Sequence, residues 1–250
     1  MTPLEILYED ENFVAIVKPA GLAAIPGRGE TTSAFELLAK QVGLPHKGTD
    51  DPRLRLVHRI DKETSGVLLF AKSRAAQQHV SHQFQNNLVQ KEYLALVAGV
   101  PSQPEGDIDA PMARHPTNAK LMAVTKHGRP ARTMWKVESR FRGLTLLRCF
   151  PKTGKTHQIR VHLASIGLPL AIDPLYNPKP PTMAAGLFLS AFKRGYRVKD
   201  EAERPLIDRL TLHAEKLIFT TMQGETKTLI ATPPKDFRAI VNMLTKYART

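Results

Sequence analysis

The spacing of apolar residues along the chain predicts alternating strands and helices. "NFVAIVKPAGL" reads as a strand over 13–18, stopped by Pro19 and a turn at Gly21. "TTSAFELLAKQVG" predicts a helix. Ser33 and Glu36 stand at capping-box spacing, Phe35, Leu38 and Val42 form one apolar stripe, and Gly43 ends it. The continuous apolar run of "GVLLFAK" predicts a buried strand. A helix follows over 74–87, with Ala76, Val80 and Phe84 at successive i+4 positions. "KEYLALVAG" is a strand closed by Gly99 and Pro101. Residues 102–132, rich in Pro, Lys, Arg and His, read as an exposed basic excursion. "TMWKVESRF" and "LTLLRCF" then form an antiparallel pair around Arg142-Gly143. "THQIRVHLASIG" reads as a helix with Ile159, Leu163 and Ile166 on one face and Gly167 as its stop. Residues 177–210 hold a Pro-rich turn and a basic stretch. "LHAEKLIFTTMQGETKTLIATPP" is a hairpin turning at Gly224, and a final helix over 235–247 carries Phe237, Ile240, Val241 and Leu244 at core-facing spacing. Strands are numerous and several are joined directly. The expected fold class is therefore α+β, a mixed and largely antiparallel sheet with helices and loops packed on it, rather than a regular βαβ barrel.

Composition narrows the function classes. A chain of 250 residues with 42% hydrophobic content can bury a sizeable core, as one domain or two small ones. The formal net charge of +13 points to a polyanionic partner, because Lys and Arg that neutralise phosphates release condensed counterions. Cys149 is the only cysteine, which excludes an intrachain disulfide and a cysteine-based zinc site and fits a reducing compartment. The start, "MTPLEILYEDENF", has acids where a signal peptide has basic and apolar residues. The longest apolar runs fall well short of the ~20 residues of a membrane span. The expectation is a cytoplasmic protein with no membrane contact.

Several familiar motifs fail on inspection. "TGKTH" at 153–157 lacks the glycine that a P-loop needs five positions before Gly154, where Cys149 stands. "HRID" at 58–61 has its acid one residue too late for a kinase catalytic loop, and neither a Gly-rich loop nor Asp-Phe-Gly follows. His157 and His162 are five apart, off one helix face and without an acid or cysteine in register, so they read as hydrogen-bonding histidines rather than metal ligands. No Gly-x-Ser-x-Gly elbow is present, so Ser65 reads as a turn residue.

Three segments remain: "HRIDKETSG" before a buried strand, "KEYLALVAG" opening another, and "GKTHQIRVH" at the start of a helix. In this order they resemble the RluA-type pseudouridine synthase family, whose members isomerise uridine in RNA and carry His-Arg-Leu-Asp-x-x-Thr-Ser-Gly, Lys-x-Tyr and Gly-Arg-x-His-Gln-x-Arg-x-His. "DPLY" at 173–176 and "LHAEKLIF" further along also look like the family, so the resemblance runs from about residue 5 to 240. Ile60 stands for the usual leucine, keeping its volume. Lys155 stands for the usual arginine, keeping the charge but giving up the bidentate fork. The first strand begins near residue 5, so the chain is expected to be a single catalytic domain over 1–250 without the amino-terminal S4-type module of several members.

The resemblance implies a pseudouridine synthase fold and a reaction that needs no cofactor and no metal. It makes Asp61 the essential carboxylate. A partly buried carboxylate needs a cation to hold it charged, and the family's partner for that role corresponds to Arg160. The target uridine must leave its stack to be reached. Tyr93 resembles the residue that stacks on the flipped base, and Arg59 the one that fills the vacated space. Lys62 faces the same loop as a phosphate contact. Lys155, Lys193, Arg194 and Arg197 are expected to grip RNA, while Phe188, Phe192 and Tyr196, at i+4 spacing, read as helix packing. The expected partner is ribosomal or transfer RNA, bound by a monomer. Two other function classes compete: a catalytically inactive RNA-binding or ribosome-assembly protein on the same fold, and a glycosylase that cleaves the same bond and releases the base. Asp61, Tyr93 and Arg160 together argue for isomerisation, since a pure binder needs none of them.

Overall fold

The protein was analysed as a computed structural model that describes residues 3–27, 32–46, 53–177, 186–196 and 202–250. In chain order its elements are β1 (Glu5–Glu9), β2 (Phe13–Lys18), α1 (Ala34–Gln41), β3 (Arg55–Leu56), β4 (Ser65–Ala71), α2 (Arg74–Gln85), β5 (Gln90–Ala98) and β6 (Glu105–Asp109). These are followed by β7 (Met112–Arg114), β8 (Met122–Val124), β9 (Arg132–Phe141), β10 (Leu144–Pro151) and α3 (Gln158–Ser165). A short 3-10 turn (Leu189–Ala191), β11 (Leu212–Thr220), β12 (Thr226–Ile230) and α4 (Lys235–Tyr247) complete the chain. The chain divides into two compact units, one of Met1–Glu92 with His213–Thr232 and one of Tyr93–Leu212 with Pro233–Thr250. Among the described residues no helix is long and apolar enough to cross a membrane.

In the first unit the strand order is β1, β2, β4, β11, with β3 also on β4 and β12 on β11. Both faces of β2 and β4 are covered, which is why β4 reads as an unbroken apolar run. Side chains of a strand alternate between faces. Phe13, Ala15, Val67 and Leu69 meet Ala76 and Val80 of α2, together with Leu217 and Phe219 of β11. Val14, Ile16, Leu68 and Phe70 meet Ala34 and Leu38 of α1 on the other face. Burying each such side chain is worth roughly 1.5–3 kcal/mol. The expected cap of α1 is present, with the Ser33 hydroxyl accepting the Glu36 N–H at 3.2 Å.

Gly66 belongs to the "TSG" motif for a steric reason. β4 runs parallel to β11 with Ser65 opposite His213 and Gly66 opposite Ala214. A Cβ at Gly66 would lie 2.0 Å from the Ala214 carbonyl oxygen, and its φ of +124° already disfavours any other residue. Only glycine allows the strands to close at this point.

The second unit repeats the alternation with different layers. Its strand order is β5, β10, β9, β6, all antiparallel. Leu94, Leu96, Leu144 and Leu146 face Phe237, Ile240 and Leu244 of α4. Ala95, Val97, Leu147 and Cys149 face Ile159 and Leu163 of α3. Burial pushes the Cys149 thiol up to about 12, so it is unreactive while the unit is folded.

Three sequence expectations need correction here. Residues 102–132 are not a plain excursion. They contain β6 and the β7–β8 hairpin, and Ile108, Met112 and Ala131 are buried. Ile166 is not on the buried face of α3; it is 42% exposed past the helix end, where the chain turns at Gly167. The stretch with Phe188, Phe192 and Tyr196 forms only the 3-10 turn, with Phe192 buried in the core.

Candidate active site

The first motif lies on the loop that joins β3 to β4. Asp61 is half-buried there, Arg59 and Lys62 are exposed, and Ile60 is buried beneath them. The loop is held from below by a residue that sequence reasoning passed over. Lys18, at the end of β2, is fully buried. Its Nζ donates to the carbonyl oxygens of Pro19, Leu22 and Lys62 at 2.8, 2.7 and 2.8 Å, one for each ammonium proton. The Lys62 carbonyl also accepts the Gly21 N–H at 3.0 Å. One buried cation thus staples the Pro19–Leu22 turn to the peptide that follows Asp61. The sequence shows only a lysine that closes a strand ahead of a Pro-Ala-Gly turn; its burial is what marks it.

The ends of the loop are fixed as well. The Thr64 N–H donates to the Asp61 carbonyl at 3.1 Å. Ser65 Oγ lies 2.9 Å from His213 Nδ1, and His213 Nε2 lies 2.9 Å from the Ala231 carbonyl, which can only accept. His213 is therefore protonated on Nε2, and Ser65 donates to Nδ1. At the other end the His58 ring stacks on Phe84 at 4.8 Å between centroids, and its Nε2 accepts the Leu69 N–H at 3.0 Å. His58 takes over where β3 stops pairing with β4 at Phe70. The loop leaves the sheet with a side chain in place of the next carbonyl.

This role requires a neutral ring. Burial, reinforced by the charge of Lys91, lowers the His58 pKa from its ordinary 6.5 to about 3. A histidine with a depressed folded pKa stabilises the fold while neutral. That contribution is complete above about pH 6.5 and is lost as the pH falls toward 3. Urea denaturation at pH 7 and pH 5 should therefore show stability falling by up to ~1.4 kcal/mol per pH unit from this group. In His58→Gln the pH slope should flatten; an unchanged slope would assign the acid sensitivity to other groups.

The second and third motifs belong to the second unit, apart from the start of β5. Tyr93 is half-buried on β5, opposite Cys149 of β10, and packs against the Ala95–Ile159 cluster. The turn before α3 is organised by Gln158. Its Oε1 accepts Thr153 Oγ1 at 2.7 Å and the Lys155 N–H at 3.0 Å. Its Nε2 donates to the Arg132 carbonyl and to Thr133 Oγ1, each at 3.0 Å. Lys155 is half-buried in this turn. Arg160 is buried in α3 and pairs with buried Asp173, Nε to Oδ2 and Nη2 to Oδ1, both at 2.8 Å. The two histidines of the third motif are structural, as the sequence suggested. His157 Nδ1 lies 2.8 Å from the Tyr176 hydroxyl. His162, fully buried, is held by Thr133 Oγ1 at 2.9 Å and the Ala110 carbonyl at 3.0 Å, and burial lowers its pKa. Among the described residues no group of His, Cys, Asp and Glu is arranged to hold a metal ion.

Lys193 Nζ lies over the Tyr196 and Tyr247 rings at 5.5 and 5.3 Å, with Arg194 exposed beside it. Arg197 lies outside the described residues. The structure therefore gathers Arg59, Asp61 and Lys62 on one stapled loop. It anchors Lys155 and Arg160 on one turn and helix, and it sets Lys193 against Tyr196 and Tyr247 with Arg194 exposed next to it.

This architecture is the one adopted by RNA pseudouridylate synthases. A solved structure of the human RNA pseudouridylate synthase domain containing 4 protein superposes with a TM-score of 0.69 at 27% identity, covering 96% of this chain and 93% of the human one. The family model for RNA pseudouridylate synthase matches residues 12–165, and the chain belongs to that family. Two relatives carry the name ribosomal large subunit pseudouridine synthase D. The protein from Nitrosomonas europaea is 45% identical over 186 residues, 73% of this chain and 53% of its own length. The protein from Haemophilus ducreyi is 37% identical over 251 residues, 99% of this chain and 73% of its own length. The chain thus spans about half of the first relative and about three quarters of the second.

Proposed function

We propose that the protein isomerises uridine to pseudouridine in large-subunit ribosomal RNA, with Asp61 as the essential carboxylate. The observation that carries this reading is the stapled loop: a half-buried carboxylate, flanked by exposed Arg59 and Lys62, on backbone fixed by Lys18, inside the segment that the family model spans. The choice of ribosomal RNA is supported by the names of relatives that align along nearly the whole chain.

In the reaction the bond from uracil N1 to ribose C1′ breaks, the base turns, and C5 bonds to C1′. The hydrogen on C5 leaves as a proton and N1 gains one, so no oxidant or co-substrate is consumed. A carboxylate at the sugar–base junction serves this chemistry whether it attacks the base, attacks the sugar or removes a ribose proton. Asp61 takes that position, and Arg160 is the cation of the reaction machinery. Tyr93 stacks on the flipped base and Arg59 occupies the space it leaves, since extrusion costs a few kcal/mol that the enzyme must offset. Lys62, Lys155, Lys193, Arg194 and Arg197 take phosphates. The enzyme works in the cytoplasm as a monomer.

Large-subunit RNA tritiated at uridine C5 tests this. Isomerisation releases tritium to water, a glycosylase releases labelled uracil, and an inactive binder releases neither. Tritium release no greater than that of Asp61→Ala on this RNA would overturn the proposal.

A further inference from the structure

We propose that the Asp173–Tyr176 turn is the positioning device for Arg160, and that the Tyr176 hydroxyl links it to the basic β7–β8 hairpin. The inference rests on the reading of Arg160 as part of the reaction machinery.

Arg160 and Asp173 are 5% and 2% exposed. Their pair is side-on, through Nε and Nη2, so Asp173 does not use the end of the guanidinium that carries Nη1. The carboxylate is itself immobilised by its own turn, because Oδ1 accepts the N–H groups of Leu175 and Tyr176 at 2.9 and 3.2 Å. The turn is tied down in its turn: Asn177 Nδ2 donates to the Leu170 carbonyl at 2.9 Å. On a second side, the Tyr176 ring lies 5.1 Å from Arg160 Cζ, a cation–π distance. A buried ion pair of this kind is weak evidence for stability, since apolar residues of similar volume often hold a core as well. What it supplies is a fixed direction for the guanidinium.

Tyr176 also carries a connection outward. Its hydroxyl accepts the Met122 N–H of β8 at 2.8 Å and lies 2.8 Å from His157 Nδ1. His157 begins α3 in the left-handed conformation, φ 55°, which the Cβ of any residue but glycine disfavours. The Tyr176 bond helps hold that strained entry. The apolar side of the hairpin, Met112 and Met122, packs with Val161 of α3 and with Tyr176. Its other side exposes Arg114 and Lys120, with Lys126 and Arg129 just beyond. Tyr176 thus joins a hairpin that exposes basic side chains to Arg160, through its hydroxyl on one side and its ring on the other. Asp173 and Tyr176 act through Arg160 and are positioning residues.

The test is a double-mutant cycle on the full chain, read as single-turnover tritium release from C5-labelled large-subunit RNA, with RNA affinity and thermal midpoint measured in parallel. Asp173→Asn should slow release by about 100-fold, the scale of a small misplacement of a reacting group, while RNA affinity changes by less than about threefold. In an Arg160→Lys background the same substitution should cost less than about threefold, because there is no fork left to aim. Equal losses in both backgrounds would overturn the proposal, since a merely structural defect is indifferent to residue 160. Tyr176→Phe keeps the ring and removes the hydroxyl. It should show the same dependence on Arg160 at about a tenfold scale, and it carries the test if Asp173→Asn does not fold. A wild-type rate in Arg160→Lys and in Arg160→Ala would instead remove Arg160 from the machinery and overturn the inference with it. Loss in Arg160→Ala without any coupling to Asp173 or Tyr176 would sink the inference and leave the proposed function standing.

Discussion

Asp61→Asn should lose tritium release by a factor on the order of 10⁴ or more, while RNA affinity stays within about threefold of wild type. The substitution preserves volume and keeps the backbone bonds of the loop, the Thr64 N–H to the Asp61 carbonyl and Lys18 Nζ to the Lys62 carbonyl. It removes the anion. An amide can neither attack the base or sugar nor take a ribose proton, so each chemical route fails together. On the proposed reading RNA binding rests on Arg59, Lys62 and the other cations, none of which is altered. The two readouts therefore separate. Loss of rate with RNA bound supports a chemical role for the carboxylate. Retained rate would move the essential group elsewhere, and parallel loss of binding and rate would make Asp61 a folding or docking residue.

Lys18→Met should destabilise the protein by about 2–6 kcal/mol in urea denaturation. The Pro19 and Leu22 carbonyls each lose the donor that the buried Lys18 ammonium gives them, at ~1–3 kcal/mol for each carbonyl that water does not reach. The Lys62 carbonyl keeps its bond from Gly21, so the loop loosens at this point rather than detaching. Methionine fills most of the space, which confines the effect to the lost donors. Lys18→Arg should not rescue, because a planar fork cannot reach three carbonyls arranged around one ammonium. A destabilisation below about 1 kcal/mol in Lys18→Met would show that the turn satisfies its carbonyls without the lysine.

Much of the architecture was legible because its signals are local. The apolar run of β4, the Ser33 cap of α1, and the turns at Arg142-Gly143 and Gly224 need no knowledge of distant residues. β6, β7 and β8 were missed for the opposite reason. They are three to five residues long, too short to show a period, and are defined by partners such as β9. The candidate site divides in the same way. The three motifs could be picked out, and the resemblance gave them roles. What fixes them could not be read. His58 is set against Leu69, Ser65 against His213, and Arg160 against Asp173, and each pairing exists only once the chain has folded back. Lys18 looked like one more surface lysine among 36 Lys and Arg residues, and only its complete burial reveals the staple.

The pairing of Ser65 with His213 also sets a timetable. His213 follows Ser65 by 148 residues, and β11, the parallel neighbour of β4, comes with it. At typical synthesis rates that is a wait of roughly 7–30 s during which β4 has left the ribosome without its neighbour. An apolar strand with an open edge is then a target for chaperones and for other nascent chains. A product truncated before residue 213 keeps every residue of the three motifs, yet lacks the strand that closes the Asp61 loop. Assembly of the first unit is in this way a test that synthesis has run past its last active-site motif.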